Sequence, residues 1–245
     1  MKSRLLSILL FFSAVLPVAA FCAETAFSQL WSGFSTSLVN RSQQQRRNAE
    51  LAGQMLNGTI IPPGGTISFN DIVGARDPAK GFVAAPNLNA RGLLDDVPGG
   101  GICQLASTIY NAALLGGLKI VERHPHSRTV SHVPPGRDAT IASWRKDLKL
   151  ANSFTHPLML TIDSRNDRLT VSLRSPVSKP FRIRIVTEQI SVEPETVASR
   201  ERQGQPGLTG FSTRTMRLVQ QNGHETKEFI SEDFYPAPSR ILAAP

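Results

Sequence analysis

The chain has 245 residues, of which 40% are hydrophobic and 19% charged, and its formal net charge is +8. This composition supports a packed core and excludes a largely disordered chain. The basic excess contains no dense Lys/Arg block interleaved with aromatic residues, so nucleic acid is set aside as a partner.

The N-terminus has the layout of a secretory signal peptide over residues 1–20. Lys2 and Arg4 precede an apolar stretch over residues 5–18, and small residues stand before the expected cleavage point after Ala20. An uncleaved membrane anchor is the alternative, but the apolar stretch is short for a span and lacks a charged stop. We therefore expect an exported protein, periplasmic or extracellular, with no membrane span after cleavage.

The first predicted element is a helix of about 15 residues that ends at Asn57-Gly58, because apolar residues up to Leu56 recur at helical spacing. Strands over residues 59–61 and 66–69 are then predicted to form a hairpin. Residues 70–96 show no strong period and are interpreted as a long, loop-rich connection, of the kind that is often functional.

A second helix is predicted over residues 103–115, ending at Gly116-Gly117. Alternating apolar residues and turn signals beyond it predict strands over residues 118–123, 129–133, 138–144, 158–162, 169–173, 181–190, 214–220 and 225–230. A polar turn over residues 163–168 joins one alternating pair of these strands, and Asn222-Gly223 predicts a hairpin of the last two. The expected fold class is α+β, in which the helix bearing Cys103 packs on a mainly antiparallel sheet. Prolines near residue 178 mark a boundary between a domain over residues 30–175 and a small β-rich C-terminal region over residues 180–245.

Cys103 is the interior one of two cysteines, and three glycines, Gly99, Gly100 and Gly101, lead into its helix. Glycines let the backbone approach a ligand closely, and the unpaired N–H groups of a helix start favour a thiolate or can form an oxyanion hole. Papain-like and transglutaminase-like enzymes present their nucleophile in this way. The alternative is a small buried hydrophobic residue. The other cysteine, Cys22, follows a bulky residue at the cleavage point, which argues against lipidation.

A nucleophilic cysteine needs a base, and the base needs a group that orients it. His124, His126 and His132 follow Cys103 in the chain, and Asp138 follows them. The order Cys, His, Asp is the one used in transglutaminase-like sites. Purely structural roles remain open at this point, since a histidine can cap a strand and Asp138 can fix a turn.

Metal and nucleotide sites are weaker alternatives. Cys103, His124 and His126 could bind zinc, but Pro125 breaks the regular alternation of a strand and Cys–Cys spacing is absent. The glycine triplet lacks the Lys-Ser/Thr that would hold a nucleotide. No metal and no cofactor are therefore expected.

Many short motifs follow one another in a fixed order over about residues 34–164. The motifs are Asn57-Gly58, Pro63-Gly64, Phe69-Asn70, Val73-Gly74, Gly81-Phe82, Gly99 to Thr108, Tyr110 to Ala113, Glu122-Arg123, His126-Ser127 and Gly136 to Thr140. In this order they resemble the VanW family. The resemblance implies association with the cell envelope and with peptidoglycan, but it supplies no reaction. Residues 180–245 are weakly similar to the glycine-rich β-modules that often follow this domain.

His126 matches the family pattern and His124 does not, whereas His132 stands where the family more often has an aromatic residue. The first hypothesis is therefore a thiol enzyme, possessing Cys103 as nucleophile, His126 as base and Asp138 as orienting group, that acts on amides or esters of the envelope. The second is a non-catalytic module that binds peptidoglycan or another envelope polymer. Its polar groove would be formed by Gly99, Gly100, Gly101, Gln104, Asn111 and Arg137.

Overall fold

The structure is a computed structural model that describes residues 26–88, 94–142, 145–192, 196–199, 210–236 and 240–243. The expected signal peptide, Cys22 and the end of the strand predicted at residues 138–144 lie outside these ranges. Within them, no helix is long and apolar enough to cross a membrane.

The described α-helices are α1 (Gln43–Leu56), α2 (Phe69–Val73) and α3 (Ile102–Gly116). A capping box starts α1, in which Ser42 Oγ accepts a hydrogen bond from the Gln45 N–H and the Gln45 side chain accepts one from the Ser42 N–H. Gly117 follows α3 in the left-handed conformation, with a φ of 81°. The two long helices confirm the predicted ones.

The described strands are, in chain order, β1 (Gln29–Ser37), β2 (Ile60–Ile61), β3 (Thr66–Ser68), β4 (Ala84–Leu88), β5 (Leu94–Pro98), β6 (Lys119–Glu122), β7 (Lys149–Ala151), β8 (Leu158–Arg165), β9 (Arg168–Ser175), β10 (Arg182–Val192), β11 (Thr196–Ser199), β12 (Gly210–Gln221), β13 (His224–Tyr235) and β14 (Arg240–Ala243). Antiparallel sheets are formed in the orders β1-β9-β8-β2, β3-β7-β6, β10-β12-β13 and β4-β5. β11 and β14 pair in parallel. The expected α+β class is confirmed.

The helix α3 lies at the centre of the core, where it packs against β1 and β9 and also contacts α1, β6 and β10. Of its 15 residues, 13 are buried. Leu105 and Tyr110, for example, have no exposed surface. Cys103, at the N-terminal end, is partly buried. Close packing along the helix therefore holds the position of Cys103.

Both long hairpins of the C-terminal half confirm their predictions. β12 and β13 are joined by Asn222-Gly223, with φ values of 52° and 79°, as a two-residue turn between strands requires. β8 and β9 are joined by Asn166-Asp167, also in the left-handed region. Asn and Asp tolerate this region better than other side chains with a Cβ.

The predicted hairpin over residues 59–69 is wrong, because its two strands join different sheets. β2 pairs with β8, whereas β3 pairs with β7. The connection at residues 70–96 is also less irregular than expected, since it contains the helix α2 and the β4–β5 hairpin.

The strands predicted at residues 129–133 and 138–144 are not formed within the described residues, apart from an isolated bridge between Ala142 and Lys146. In this segment, backbone groups form hydrogen bonds with side chains of α3 instead of with a neighbouring strand. The Ala139 N–H donates to Ser107 Oγ over 2.9 Å, and Asn111 Nδ2 donates to the Arg137 carbonyl over 2.7 Å.

Candidate functional site

The three glycines before α3 are required because backbone atoms of other elements lie very close to them. A Cβ on Gly100 would lie 2.1 Å from the Ala85 carbonyl oxygen of β4, and one on Gly101 would lie 2.7 Å from the Gln45 carbonyl oxygen of α1. Gly99 and Gly101 have φ values of 84° and 102°, a region that L side chains rarely adopt. The glycines thus allow the start of α3 to pack directly against the backbone of β4 and α1.

The thiol of Cys103 lies beside the backbone of Ile141, whose N–H donates to Sγ over 3.5 Å. Burial alone would raise the pKa of this thiol, but a hydrogen bond with His126 and the positive charges of His126 and Arg76 outweigh burial. The pKa of Cys103 is therefore held below its ordinary value, which favours the nucleophilic thiolate.

Backbone donors at the start of α3 add to this environment. The N–H groups of Ile102 and Gln104 donate to the carbonyls of Gly99 and Gly101 over 3.3 and 3.1 Å. The Cys103 N–H has no acceptor among the described residues. It can therefore donate to an oxyanion formed beside the sulfur.

His126 is buried between Cys103 and Asp138. Its Nδ1 lies 2.6 Å from Asp138 Oδ2, and its backbone N–H donates to the same oxygen over 2.7 Å. Burial lowers the pKa of His126, but the hydrogen bonds with Asp138 and Cys103 raise it to about 9. Burial alone would raise the pKa of Asp138, but the interactions with His126 and Arg123 lower it to about 2. The arrangement favours an imidazolium between a thiolate and a carboxylate.

Asp138 is itself held by residues that sequence reasoning missed. Tyr235 Oη donates to Asp138 Oδ1 over 2.7 Å and accepts from the Gly136 N–H over 2.8 Å. Arg123 Nη2 lies 3.1 Å from Asp138 Oδ1, and Arg123 Nη1 pairs with Asp233. Tyr235 and Asp233 stand about a hundred residues along the chain from Asp138, in β13, and no local motif marks them.

His132 shares the site but is in a different protonation state. Its Nε2 lies 3.1 Å from Ser107 Oγ, and its Nδ1 lies 3.1 Å from Arg41 Nη2. Burial and the nearby positive charges of Arg41 and His126 lower the pKa of His132 to about 3. His132 is therefore neutral, whereas His126 is protonated.

His124 is not among the residues that line the Cys103 cavity, and it pairs with Glu122, with 2.9 Å between Nε2 and the carboxylate. His124, one of the three proposed zinc ligands, is therefore engaged with Glu122. No group of three or more His, Cys, Asp and Glu side chains within the described ranges is placed to hold a metal ion.

The six residues of the hypothetical binding groove do not form one groove. Gly101 and Gln104 line a cavity of about 180 Å³ together with Cys103, His126 and His132. Asn111 is fully buried inside the core, and its side-chain oxygen Oδ1 accepts from Arg137 Nε over 2.5 Å. Asn111 and Arg137 therefore fix the loop before Asp138, because their polar groups are used within the protein.

The fold and this site define an α+β protein in which a cysteine, a histidine and an aspartate meet at the N-terminus of a buried helix. The family model described as "VanW like protein" matches residues 44–174. The chain belongs to this family, as the resemblance over residues 34–164 predicted.

Two relatives place the chain within the family. It is 33% identical over 170 residues to the uncharacterized protein YoaR of Bacillus subtilis, covering 69% of this chain and 56% of that protein. It is 34% identical over 125 residues to the vancomycin B-type resistance protein VanW of Enterococcus faecalis, covering 47% of this chain and 44% of that protein. The chain thus spans about half the length of these curated relatives.

Proposed function

We propose that the protein is an exported thiol-dependent hydrolase or acyltransferase that acts on amide or ester bonds of the peptidoglycan type. The observation that carries the proposal is that Cys103 and His126 line the same cavity and that His126 is paired with Asp138 over 2.6 Å. The interaction with His126 also lowers the pKa of the Cys103 thiol. A depressed thiol pKa and a raised imidazole pKa at one position are typical of an activated cysteine.

The reaction would follow from the protonation states of the pair. The Cys103 thiolate attacks the substrate carbonyl carbon, a C–S bond forms, and the oxyanion receives a hydrogen bond from the Cys103 N–H. The intermediate collapses with cleavage of the C–N or C–O bond, and the His126 imidazolium gives its proton to the leaving amine or alcohol. Water or an acceptor amine then loses a proton to His126, attacks the thioester and releases the thiolate.

The substrate class rests on context. One relative carries the name of a vancomycin resistance protein. The signal-like N-terminus would deliver the protein to the envelope, where peptidoglycan peptides supply amide bonds. Removal of Lys2 and Arg4 would leave 25 basic against 19 acidic residues, a balance that suits an anionic polymer.

The first test is the pH dependence of Cys103 alkylation by iodoacetamide, in exported protein that carries Cys22→Ser so that Cys103 is the sole thiol. We expect a thiolate pKa well below the free value of about 8.5, and we expect it to rise in His126→Ala. The second test follows bond cleavage or exchange in isolated cell wall by mass spectrometry, with Cys103→Ala as the control.

Two results would count against the proposal. An ordinary thiol pKa in both proteins would show that His126 does not activate Cys103. Binding to cell wall that survives Cys103→Ala, without any change in the wall peptides, would instead support the non-catalytic binding module.

A further inference from the structure

Arg41 is a cation on the wall of the Cys103 cavity. Its Nε donates to Gln104 Oε1 over 2.5 Å, and its Nη2 lies 3.1 Å from His132 Nδ1. Neither partner is an acid. Among the described residues, no carboxylate lies within ion-pair distance of Arg41, and none of the residues that line the cavity is Asp or Glu.

Gln104 is fixed as a neutral acceptor. Its Nε2 donates to Thr36 Oγ1 over 3.0 Å and to the Ser37 carbonyl over 2.8 Å. Its oxygen is therefore the atom that faces Arg41.

His132 is fixed as a neutral acceptor as well. The Ser107 hydroxyl donates its proton to the Cys103 carbonyl over 2.8 Å, so it accepts from His132 Nε2–H. The Nδ1 atom is then unprotonated and can only accept from Arg41. The pKa of His132, lowered to about 3 by burial and neighbouring cations, agrees with this tautomer.

The arrangement holds the guanidinium in place without neutralising it. Burial lowers the pKa of Arg41, and no acidic group acts against burial, yet a guanidinium remains protonated. A desolvated cation that is fixed by neutral partners is suited to a charged ligand, and the planar guanidinium matches a carboxylate.

We infer that Arg41 binds a carboxylate of the substrate, next to the carbonyl group that Cys103 attacks. The inference rests on the proposed function and narrows its substrate class to acylated amino acids or peptides with a carboxylate close to the scissile bond. Neutral esters and uncharged glycans lack the group that Arg41 binds. Arg41 is thus a specificity-determining residue, and His132 and Gln104 are positioning residues that act through it.

The test compares two alkylating reagents that differ in one charge, iodoacetate and iodoacetamide, on Cys103 in full-length protein with Cys22→Ser. Free cysteine supplies the reference ratio of the two rates. We expect iodoacetate to be favoured over this reference, and we expect Arg41→Gln to reduce the ratio about tenfold, the scale of a charge-assisted hydrogen bond. Arg41→Lys, which retains the charge but not the planar fork, should recover part of the preference.

Arg165→Gln is the matched control, because Arg165 is 78% exposed and lies in the β8–β9 hairpin. This change should leave the ratio as it is. A second measurement keeps Arg41 in place, in the same protein with Cys22→Ser, and therefore does not depend on whether the Arg41 variants fold. N-acetylglycine should protect Cys103 from iodoacetamide at lower concentration than N-acetylglycinamide does.

The outcomes separate the two proposals. A depressed thiolate pKa with a reagent ratio that Arg41→Gln leaves unchanged would overturn carboxylate binding and keep the thiol enzyme. Equal losses with both reagents would also overturn it, since Arg41 would then act on the thiolate itself. Equal protection by the two glycine derivatives would do the same. A thiol with an ordinary pKa, or one that neither reagent reaches, would overturn both proposals.

Discussion

The region that matches the VanW model and the C-terminal sheet β10-β12-β13 contribute different parts of one site. Cys103, His126 and Asp138 all lie inside the matched residues 44–174. Tyr235, which donates to Asp138 directly, and Asp233, which holds Arg123 beside Asp138, lie outside it. The three side chains to which we assign the proposed reaction thus come from one region, whereas the other region supplies part of the contacts that orient the carboxylate.

The turn that leads into Asp138 is the place where the two regions meet. Thr215 Oγ1 of β12 donates to the Gly136 carbonyl over 3.3 Å, and Tyr235 accepts from the Gly136 N–H. A Cβ on Gly136 would lie 2.6 Å from Thr215 Oγ1, so a larger residue does not fit without movement. Farther along β12, Arg217 Nη1 donates to the Leu118 carbonyl over 2.8 Å. Limits drawn from the family match alone would therefore cut through the site.

We expect the largest loss of stability from Arg123→Met. Arg123 is 4% exposed and is the cation between Asp138 and Asp233. Its loss leaves Asp233 buried without a counter-charge and leaves Asp138 with His126 as its remaining cation. Removal of one partner from a buried ion pair typically costs about 3–5 kcal/mol. Urea unfolding measures this cost, with Arg165→Met as an exposed control that should not shift the midpoint. A change as small as that of the control would mean that the sheet does not depend on this ion pair.

Asp138→Asn should have the next largest effect, on the pKa of His126. The hydrogen bond with Asp138 is the foremost contribution that raises this pKa to about 9. Without it, the interaction with Cys103 acts alone against burial, and we expect the pKa of His126 to fall clearly below about 9. Titration of the His126 ring by NMR measures the change, and the iodoacetamide profile of Cys103 should move to higher pH. An unchanged His126 titration would contradict the pairing.

The same pKa gives a stability prediction with a definite sign. The folded protein keeps a proton on His126 that the unfolded chain releases near pH 6.5, so the contribution of His126 is full below that pH and is lost as the pH rises through about 9. The lowered pKa of Cys103 acts in the opposite sense. The free energy of unfolding in urea is therefore measured against pH in Cys103→Ala, in which the interaction with Asp138 remains. Because Cys103 also raises the His126 pKa, the loss of stability in this variant should be complete at a pH below about 9. Asp138→Asn in the same background should remove the dependence, and a dependence that persists would contradict the pairing.

Local patterns were sufficient to predict the elements whose signals lie within a few residues. Helical periodicity and terminal glycines predicted α1 and α3, and turn residues predicted the hairpins β8–β9 and β12–β13. The order of Cys103, His126 and Asp138, together with the resemblance, selected three side chains that the structure brings together. Their catalytic role stays a prediction.

Features that depend on distant partners could not be read from the sequence. Strand periodicity shows which face is buried but does not name the neighbouring strand, so β2 and β3 were wrongly paired with each other. Asn111 looked available for a ligand because a polar residue on a helix does not reveal whether it is buried. Tyr235 was missed because its hydrogen bond spans 97 positions of the chain.

Tyr235→Phe should have a moderate effect. The hydroxyl group donates to Asp138 and accepts from Gly136, whereas the ring contact with Phe211, at 5.1 Å between centroids, is kept in the variant. Loss of a buried hydrogen bond to a carboxylate costs about 1.5–3 kcal/mol. Urea unfolding measures this loss, and a stability equal to that of the parent would show that the sheet does not hold Asp138 through this hydroxyl. Because the Cys103–His126 contact remains, we expect the alkylation profile to stay acid-shifted.

His124→Gln should have the smallest effect, and it separates the two neighbouring histidines. His124 pairs with Glu122 at the surface, where its side chain is 35% exposed, and such pairs contribute less than about 1 kcal/mol. Glu122 also retains its pair with Lys149 at 2.9 Å. Stability and the pH profile of Cys103 alkylation should both match the parent. An alkylation profile displaced as far as that of His126→Ala would make His124 a second base and would refute the assignment of that role to His126 alone.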